Sequence, residues 1–455
     1  MAYVNLYDSV IKFPSQGEKS NNMAYLAYIT RNAGSIIEYA GRTCYRSFNN
    51  IKTDSYKTFI SGIVKSGHES VIEHSNLVYV VLKTQNKDIK VDSNNINRYL
   101  INVMMYNGLL RVSENQAFYT ISGNLRMFKD LIREYVKIKA LNNKNNPILE
   151  DIMNSFYTLP EYFFVDMINS GTLDKDKFKP NPRIVDSSNA TNSRVLNEYV
   201  TVINIDNFSF KVKGFIANKG GESSAHRISI PPNVLKRHNR MTLVINAPRY
   251  ITHQLVRHRL ASYSQASQRY CLEGGLNVYV PEAIKENPAA NATANMLFNN
   301  ALQSYASLID MGIKKEDARS VLTNAQMSTV VMTATLEEFD HFVDVRADKA
   351  AQNFIRDMIA VPIKNFLEKY YAEQLRHNGE TNATSSERKE KYQRKQQNKV
   401  RTGNKNYRNN GNKKQSQPNK GNNKPGNKKP NKPGNKPNQG NKKFTKQPNK
   451  FNKHQ

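Results

Sequence analysis

RHRLASYSQASQRY, residues 257–270, decides how this chain is read. Arg257, Arg259 and Arg269 are fixed cations, His258 is titratable, and Ser262, Ser264, Gln265 and Ser267 place neutral hydrogen-bonding groups between them. An exposed basic patch has no use for so many short hydroxyls, and an apolar core would not accept the arginines. The guanidinium fork suits phosphate and carboxylate, so the stretch reads as a site for a polyanionic small molecule. MTLVINA (241–247) alternates and is β-branched enough for a strand, and Asn246 and Pro248 suit a helix start. In RYITHQLVRHRL (249–260), Ile251, Leu255 and Leu260 fall along one helical face, with Gln254, Arg257 and His258 on an adjoining one. Strand, helix and polar loop together make an anion cradle. Arg-His-Arg alone also arises by chance or as the basic end of a helix, complementing its dipole. The spaced serines, Gln265, Arg269 and Tyr270 weigh against that plainer reading.

The net charge of +29 over 455 residues is unevenly placed. Residues 381–455 hold 22 Lys or Arg against two Glu, about +20 of the total, which leaves about +9 for the rest. This segment is built from Asn, Lys, Gly, Pro and Gln in loose repeats such as GNNKPGNKKPNKPGNKPNQG (421–440). Such a composition buries too little apolar surface to offset chain entropy, so 376–455 is expected to be a disordered basic tail. Tyr392, Tyr407, Phe444 and Phe451 are too sparse for a stacking platform. The tail suits non-specific, salt-sensitive nucleic-acid binding by counterion release, or a solubilising extension. No run of about 18 apolar residues and no charged-then-apolar leader pattern stands in the chain, so a soluble, unexported, cytoplasmic protein is expected. Cys44 and Cys271 are too few for a disulfide framework, suit a reducing compartment, and neither reads as a nucleophile.

The 257–270 segment resembles the signature of the flavin-dependent thymidylate synthases: an RHR triplet, spaced polar residues, then Ser-x-Arg-Tyr. Arg257, His258, Arg259, Ser262, Ser267, Arg269 and Tyr270 stand in that register. Ser264 and Gln265 replace the commoner Asn-Glu pair, a variant similar to the family's long-form branch; Gln265 keeps an amide and loses any acid–base role. GHESVIEH (67–74) is similar to the family's G-H-x-S/T-x-x-E-H element. Its histidines are six apart, off the i, i+4 spacing of a zinc-binding helix, so no metal is expected there. Glu73 and His74 bonding loop backbone is the structural alternative; the resemblance places His68 and Ser70 near the flavin. Arg319 and Arg346 lie 27 residues apart, the family's separation between two nucleotide-site arginines. Ala351, Phe354, Ile355, Met358 and Ile359 follow at the spacing of a helix with one buried face. Where many members carry an Asn-x-Arg flavin contact, this chain reads Thr335, Leu336, Glu337, and His341 fills a position often held by Asn or His.

The resemblance implies an α/β (α+β) catalytic domain over 1–375, interrupted by an insertion at about 82–240 that is absent from short members. Inside it, FYTISGNLRMFKDLIREY (118–135) predicts a strand, a turn at Gly123–Asn124, and a helix with Leu125, Phe128, Leu131 and Ile132 on one face. The implied reaction converts dUMP to dTMP, with methylenetetrahydrofolate as carbon donor, FAD as cofactor and NADPH as reductant, in a homotetramer with shared active sites. Arg346 is expected to stabilise charge on the uracil ring. Ser267 is the second catalytic candidate, as a phosphate-binding hydroxyl, since no His–Asp relay stands beside it. The dUMP set is Gln254, Arg257, Gln265, Ser267, Gln268, Arg269, Arg319 and Arg346. The flavin set is His68, Ser70, Arg257, His258, Arg259, Gln265 and His341. Two rivals are a nucleic-acid-binding protein whose RHR segment and tail form one surface, and a flavin-binding member without methylation activity.

Overall fold

Residues 241–247 form the strand that their alternation predicts, at the centre of a sheet. The computed structural model describes residues 10–12, 24–82, 110–114, 118–142, 145–181, 193–208, 211–217, 223–229 and 232–377. Strands are numbered in chain order. β10 (Arg240–Pro248) pairs antiparallel with β12 (Met327–Thr335) on one side and β7 (Val200–Ile205) on the other. β11 (Ala261–Gln265) adds outside β12 and β6 (Arg194–Val195) outside β7. Successive residues of a strand point to opposite faces, and both faces here are covered. Met241, Leu243, Ile245 and Ala247, with Met332 and Ala334, meet the helices Arg249–Leu255, Leu336–Arg346 and Val361–His377. Val244 and Val331 meet Ala40 of the helix Ala33–Tyr45 on the other side. Phe339, Phe342, Ile355 and Ile359 are wholly buried in the helical layer, each contributing about 1.5–3 kcal/mol of burial. The apolar run after Asp348 enters this layer as a π-helical turn, Phe354–Ala360, that continues into Val361–His377.

A second antiparallel sheet has the order β2 (Ala24–Ile29), β3 (Asn76–Leu82), β5 (Phe118–Asn124), β4 (Arg111–Glu114). The helices Ser55–Lys65, Leu125–Asn142 and Pro147–Phe156 share one core with it. Leu125, Phe128, Leu131 and Ile132 are all buried in that core. Gly123 and Asn124 do not form the expected turn. They complete β5, and Asn124 Oδ1 accepts from Met127 N at 2.8 Å, so strand passes to helix without a loop. A third sheet pairs β1 (Val10–Lys12) parallel to β8 (Lys211–Ala217), itself antiparallel to β9 (Ser223–Ser229). Buried Asp206 ties the first two sheets together, accepting from Tyr28 Oη at 3.2 Å, Asn76 Nδ2 at 3.0 Å, Asn204 Nδ2 at 3.2 Å and Arg240 N at 3.2 Å.

Contacts group Met1–His377 as one unit; the other, Asn378–Gln455, lies outside the described residues, and with it nearly all of the basic tail and its nucleic-acid expectation. Parts of 82–240, the stretch expected to be an insertion, also lie outside them. No helix among the described residues is long and apolar enough to cross a membrane.

Two buried histidines make this fold sensitive to acid. His74 hydrogen-bonds Thr333 Oγ1 at 2.7 Å and Ser264 Oγ at 2.9 Å; His238 bonds Ser122 Oγ and Ser113 Oγ at 2.8 Å each. Burial, with nearby arginines, pushes each imidazole down to about 3. The unfolded chain takes up these protons near pH 6.5, the folded one only near pH 3. Stability is therefore complete above about pH 6.5 and falls as pH drops toward 3, by up to about 1.4 kcal/mol per pH unit for each ring. Urea midpoints at pH 7.5 and 5 should differ in that sense; a flat profile would refute the neutral, buried state of both rings.

Candidate active site

The signature follows the short helix that begins where β10 ends. Pro248 stands at the N-cap of the helix Arg249–Leu255, and the triplet follows the helix rather than extending it. Arg257 N donates to Gln254 O at 3.3 Å and His258 N to Leu255 O at 3.0 Å, closing the last turn. Tyr263 Oη, from β11, donates to Leu255 O at 2.7 Å and His258 O at 3.0 Å and pins this bend. Of Gln254, Arg257 and His258, expected on one helical face, only Gln254 is helical. The bend leaves Arg257 and Arg259 exposed and turns His258 inward, its ring 4.8 Å from that of Phe342 and 6.3 Å from that of His341.

Arg346, at the end of the helix Leu336–Arg346, reaches this bend from the other side. Its Nε donates to His258 Nε2 at 3.0 Å and its Nη2 to Gln254 O at 3.4 Å. Burial first, then the Arg346 guanidinium and His341, push the His258 imidazole down to about 4. A neutral ring is what this geometry needs, because only an unprotonated Nε2 accepts from a guanidinium. Gln254 Nε2 donates to Gln352 Oε1 at 2.7 Å, and Gln265 Nε2 donates to Thr252 Oγ1 and Ser328 Oγ at 3.1 Å each.

A second group forms past the end of β11. Ser267 is fixed by its N–H on Cys44 O at 3.0 Å and by Cys271 N on its own carbonyl at 3.0 Å; its Oγ accepts from Arg269 N at 3.2 Å. Arg269 Nε donates to Glu316 Oε2 at 2.7 Å, while Arg319 Nε donates to Glu316 O at 3.1 Å. Glu316 thus gathers two arginines that lie 50 positions apart. Arg249 belongs with them: it is half-buried, and burial followed by the Arg319 charge lowers its pKa. The sequence reading passed over Arg249, whose only signal was an arginine at the first position of a helix. Gln268 is buried beside this group with no partner for Nε2, and buried Ser262 Oγ in β11 also has none.

The N-terminal element divides in two. His68 and Ser70 are exposed at the start of a 3₁₀ turn, Glu69–His74, which Gly67 enters at φ +77°. His74, at its end, is buried on Thr333 and on Ser264 of the signature. The structural alternative had it bonding loop backbone; its partners are side chains of β12 and β11 instead. The Thr335–Glu337 departure also has a local cause. Thr335 Oγ1 accepts from Glu338 N at 3.2 Å and caps the helix, and Glu337 pairs with Arg237 at 3.2 Å.

Among the described residues, Arg42, Arg46, Arg111, Arg126, Arg133 and Arg356 each have a carboxylate within salt-bridge distance. No ion pair among them involves Arg249, Arg257, Arg259, Arg319 or Arg346. These donors belong to the signature and the segments it meets, and none has a carboxylate within salt-bridge distance among the described residues, though Glu273 acts on Arg249 at longer range. Guanidinium groups placed this way suit phosphate or carboxylate ligands. Within one chain, no hydrogen bond or ion pair between described residues joins His68 or Ser70 to the triplet, or the Arg346 group to the Arg269 group. Both thiols, Cys44 and Cys271, are unpaired and raised in pKa by burial, the reverse of an activated nucleophile.

The helix-backed sheet and its arginine-lined bend define an α/β protein with a cationic site. The family described as thymidylate synthase complementing protein matches residues 26–85 and 234–370 of this chain. A flavin-dependent thymidylate synthase of Thermococcus onnurineus is 39% identical over 114 residues, 24% of this chain and 46% of that protein. One of Corynebacterium efficiens is 33% identical over 147 residues, 29% of this chain and 59% of that protein. The chain thus spans about half the length of the curated relatives it matches. The crystal structure of a UMP/dUMP methylase from Streptomyces cacaoi bound with 5-bromo dUMP is 26% identical, with a TM-score of 0.27, covering 29% of this chain and 67% of that one.

Proposed function

We propose that the protein carries out the reductive methylation of dUMP to dTMP, with FAD as cofactor, methylenetetrahydrofolate as carbon donor and NADPH as reductant. The observation that carries this reading is the gathering of arginines at one bend and one turn by signature residues, where Arg346 meets a neutral histidine and a carbonyl, Arg319 a carbonyl, and Arg269 a single exchangeable carboxylate. FAD, when bound, supplies the redox chemistry that the side chains lack. Arg257 and Arg259 are assigned to its diphosphate, with His68, Ser70, His258, Gln265 and His341 beside it. Arg269 and Arg319, with Ser267 and Gln268, are assigned to the dUMP phosphate, which would replace the Glu316 carboxylate on Arg269. Gln254 and Gln265 orient the nucleotide, and Arg257 borders both ligands.

Arg346 is assigned to the uracil ring. His258 and Gln254 hold its Nε and Nη2, and Nη1 has no partner among the described residues. A guanidinium fixed before the reaction opposes negative charge as it develops on the ring, without reorganising to do so. Neutral His258 anchors it without cancelling its charge.

The two arginine groups are proposed to complete each other across subunits of a homotetramer. The helix Pro288–Asp310 supports this assembly: only Phe298 and Tyr305 are buried on it, while Met296 and Leu297 are 61% and 58% exposed. Light scattering should read four chains; a monodisperse monomer would exclude shared sites. Two free cysteines suit the reducing, cytoplasmic setting also proposed here.

The test is an absorption spectrum of the purified chain with and without dUMP, repeated on a chain ending at residue 380. Both should be yellow, both should show a flavin band perturbed by dUMP, and both should form dTMP. Salt-sensitive nucleic-acid binding, proposed for the tail alone, should vanish in the shorter chain. A colourless protein that ignores FAD and dUMP would end the reading.

A further inference from the structure

The helix Leu125–Asn142 turns its apolar face to the core and presents Arg126, Lys129 and Arg133, three and four apart, along another face. All three close on the 67–74 element. Arg126 Nη1 meets Glu73 Oε1 at 2.8 Å. Lys129 is wholly buried, and its ammonium donates to Glu69 Oε1, to Asp166 Oδ1 at 2.6 Å and to Phe163 O at 2.9 Å. Arg133 Nη2 reaches Glu69 Oε1 at 2.8 Å and also pairs with Asp166.

An ammonium has three protons, and each of Lys129's has an acceptor. A buried ion cluster of this kind adds little net stability over a well-packed apolar one, because desolvation offsets the attraction. What it fixes is geometry: Lys129 and Arg133 share Glu69 and Asp166, and Arg133 also reaches Asp130 Oδ1 at 2.5 Å. Glu69 sits between His68 and Ser70, and Glu73 is one residue from His74, whose ring is held by Thr333 and Ser264. The turn is therefore held along its length by side chains, while His68 and Ser70 face outward. Arg126, Lys129, Arg133 and Asp166 all lie in the stretch between the two matched segments of the family, whereas Glu69 and Glu73 lie in the first of them.

We propose that Lys129, with Arg126 and Arg133, positions the flavin-facing turn, so that the insertion sets the placement of His68 and Ser70 through Glu69 and Glu73. This rests on the reading that residues 67–74 face a flavin. Lys129 touches no ligand and is a positioning residue, as are its two neighbours.

The test is titration of the flavin-stripped, full-length protein with FAD, followed by flavin fluorescence, alongside thermal unfolding of each variant. Lys129→Met is expected to weaken FAD binding by about tenfold or more, as a loosened supporting shell does. Arg126→Gln breaks a partly exposed pair, so the fold survives; it is expected to weaken FAD binding by about threefold with little change in melting temperature. A purely structural role would lower the melting temperature and leave the FAD affinity of the folded protein unchanged, which overturns the proposal. Should Lys129→Met not accumulate, Arg126→Gln decides alone, and wild-type FAD affinity in that variant is equally fatal. Failure of the wild-type chain itself to bind FAD is a different result, and it would remove the functional reading first.

Discussion

Arg346→Ala is expected to lower the rate of dTMP formation by about 10²–10³, the loss typical of removing one preorganised donor aimed at developing charge. FAD affinity should change by no more than about threefold, because Arg346 is not assigned to the flavin and, of the residues that are, it touches only His258. Tritium release from C5-labelled dUMP is the cleaner assay, since it reports chemistry at the ring alone. The substitution also takes the donor away from His258 Nε2. With that cation gone, one of the influences depressing the imidazole is lifted, so its pKa should rise from about 4 toward the ordinary histidine range. An NMR titration of the His258 ring would show this independently of turnover. Arg346→Lys should not rescue the rate. A lysine is a point donor on a flexible stem and cannot hold His258, Gln254 and a ligand in one plane. Turnover near the wild-type rate in Arg346→Ala would show that ring polarisation lies elsewhere.

How far this site was legible depended on whether its contacts are local. The strand around 241–247, the helix after Pro248 and the helix from Leu125 follow from apolar spacing, because each buries one face of a regular element. The end of the helix at Leu255 was not visible, since it is pinned by the Tyr263 hydroxyl, eight positions away on β11. His74 shows the same limit more sharply. Its partners stand 190 and 259 positions further on, and nothing in GHESVIEH announces a buried imidazole between two hydroxyls. Glu69 was a variable position in a motif until Lys129 and Arg133, from between the two matched segments, closed on it. Arg249 escaped notice because one arginine at a helix start has a dozen ordinary explanations; its neighbour Arg319 is 70 residues away. What sequence conveyed was the identity of the charged residues. Which of them lack an acid partner is a property of the fold.

That property predicts an order among the arginines proposed to bind the phosphate. Arg319→Ala removes one charge-assisted contact, worth about 1.5–3 kcal/mol, and should weaken dUMP binding by about 10- to 100-fold. Arg269→Ala should do more harm, because it also leaves the Glu316 carboxylate, now 2.7 Å from Arg269 Nε, unpaired where the phosphate is to sit. Adding Glu316→Gln should recover part of that loss, while Glu316→Gln alone, by relieving a competitor for Arg269, should tighten dUMP modestly. Deoxyuridine provides the control. Lacking the phosphate, it should compete equally well against the wild type and all of these variants, whereas a general disturbance of the turn at Ser267 would weaken nucleoside and nucleotide alike. The dUMP contrast should also shrink as salt is raised, since Arg269 is exposed and its attraction is screened. If Arg269→Ala and Arg319→Ala bind dUMP as the parent does, the phosphate is held by other groups, and the role assigned to Glu316 falls with it.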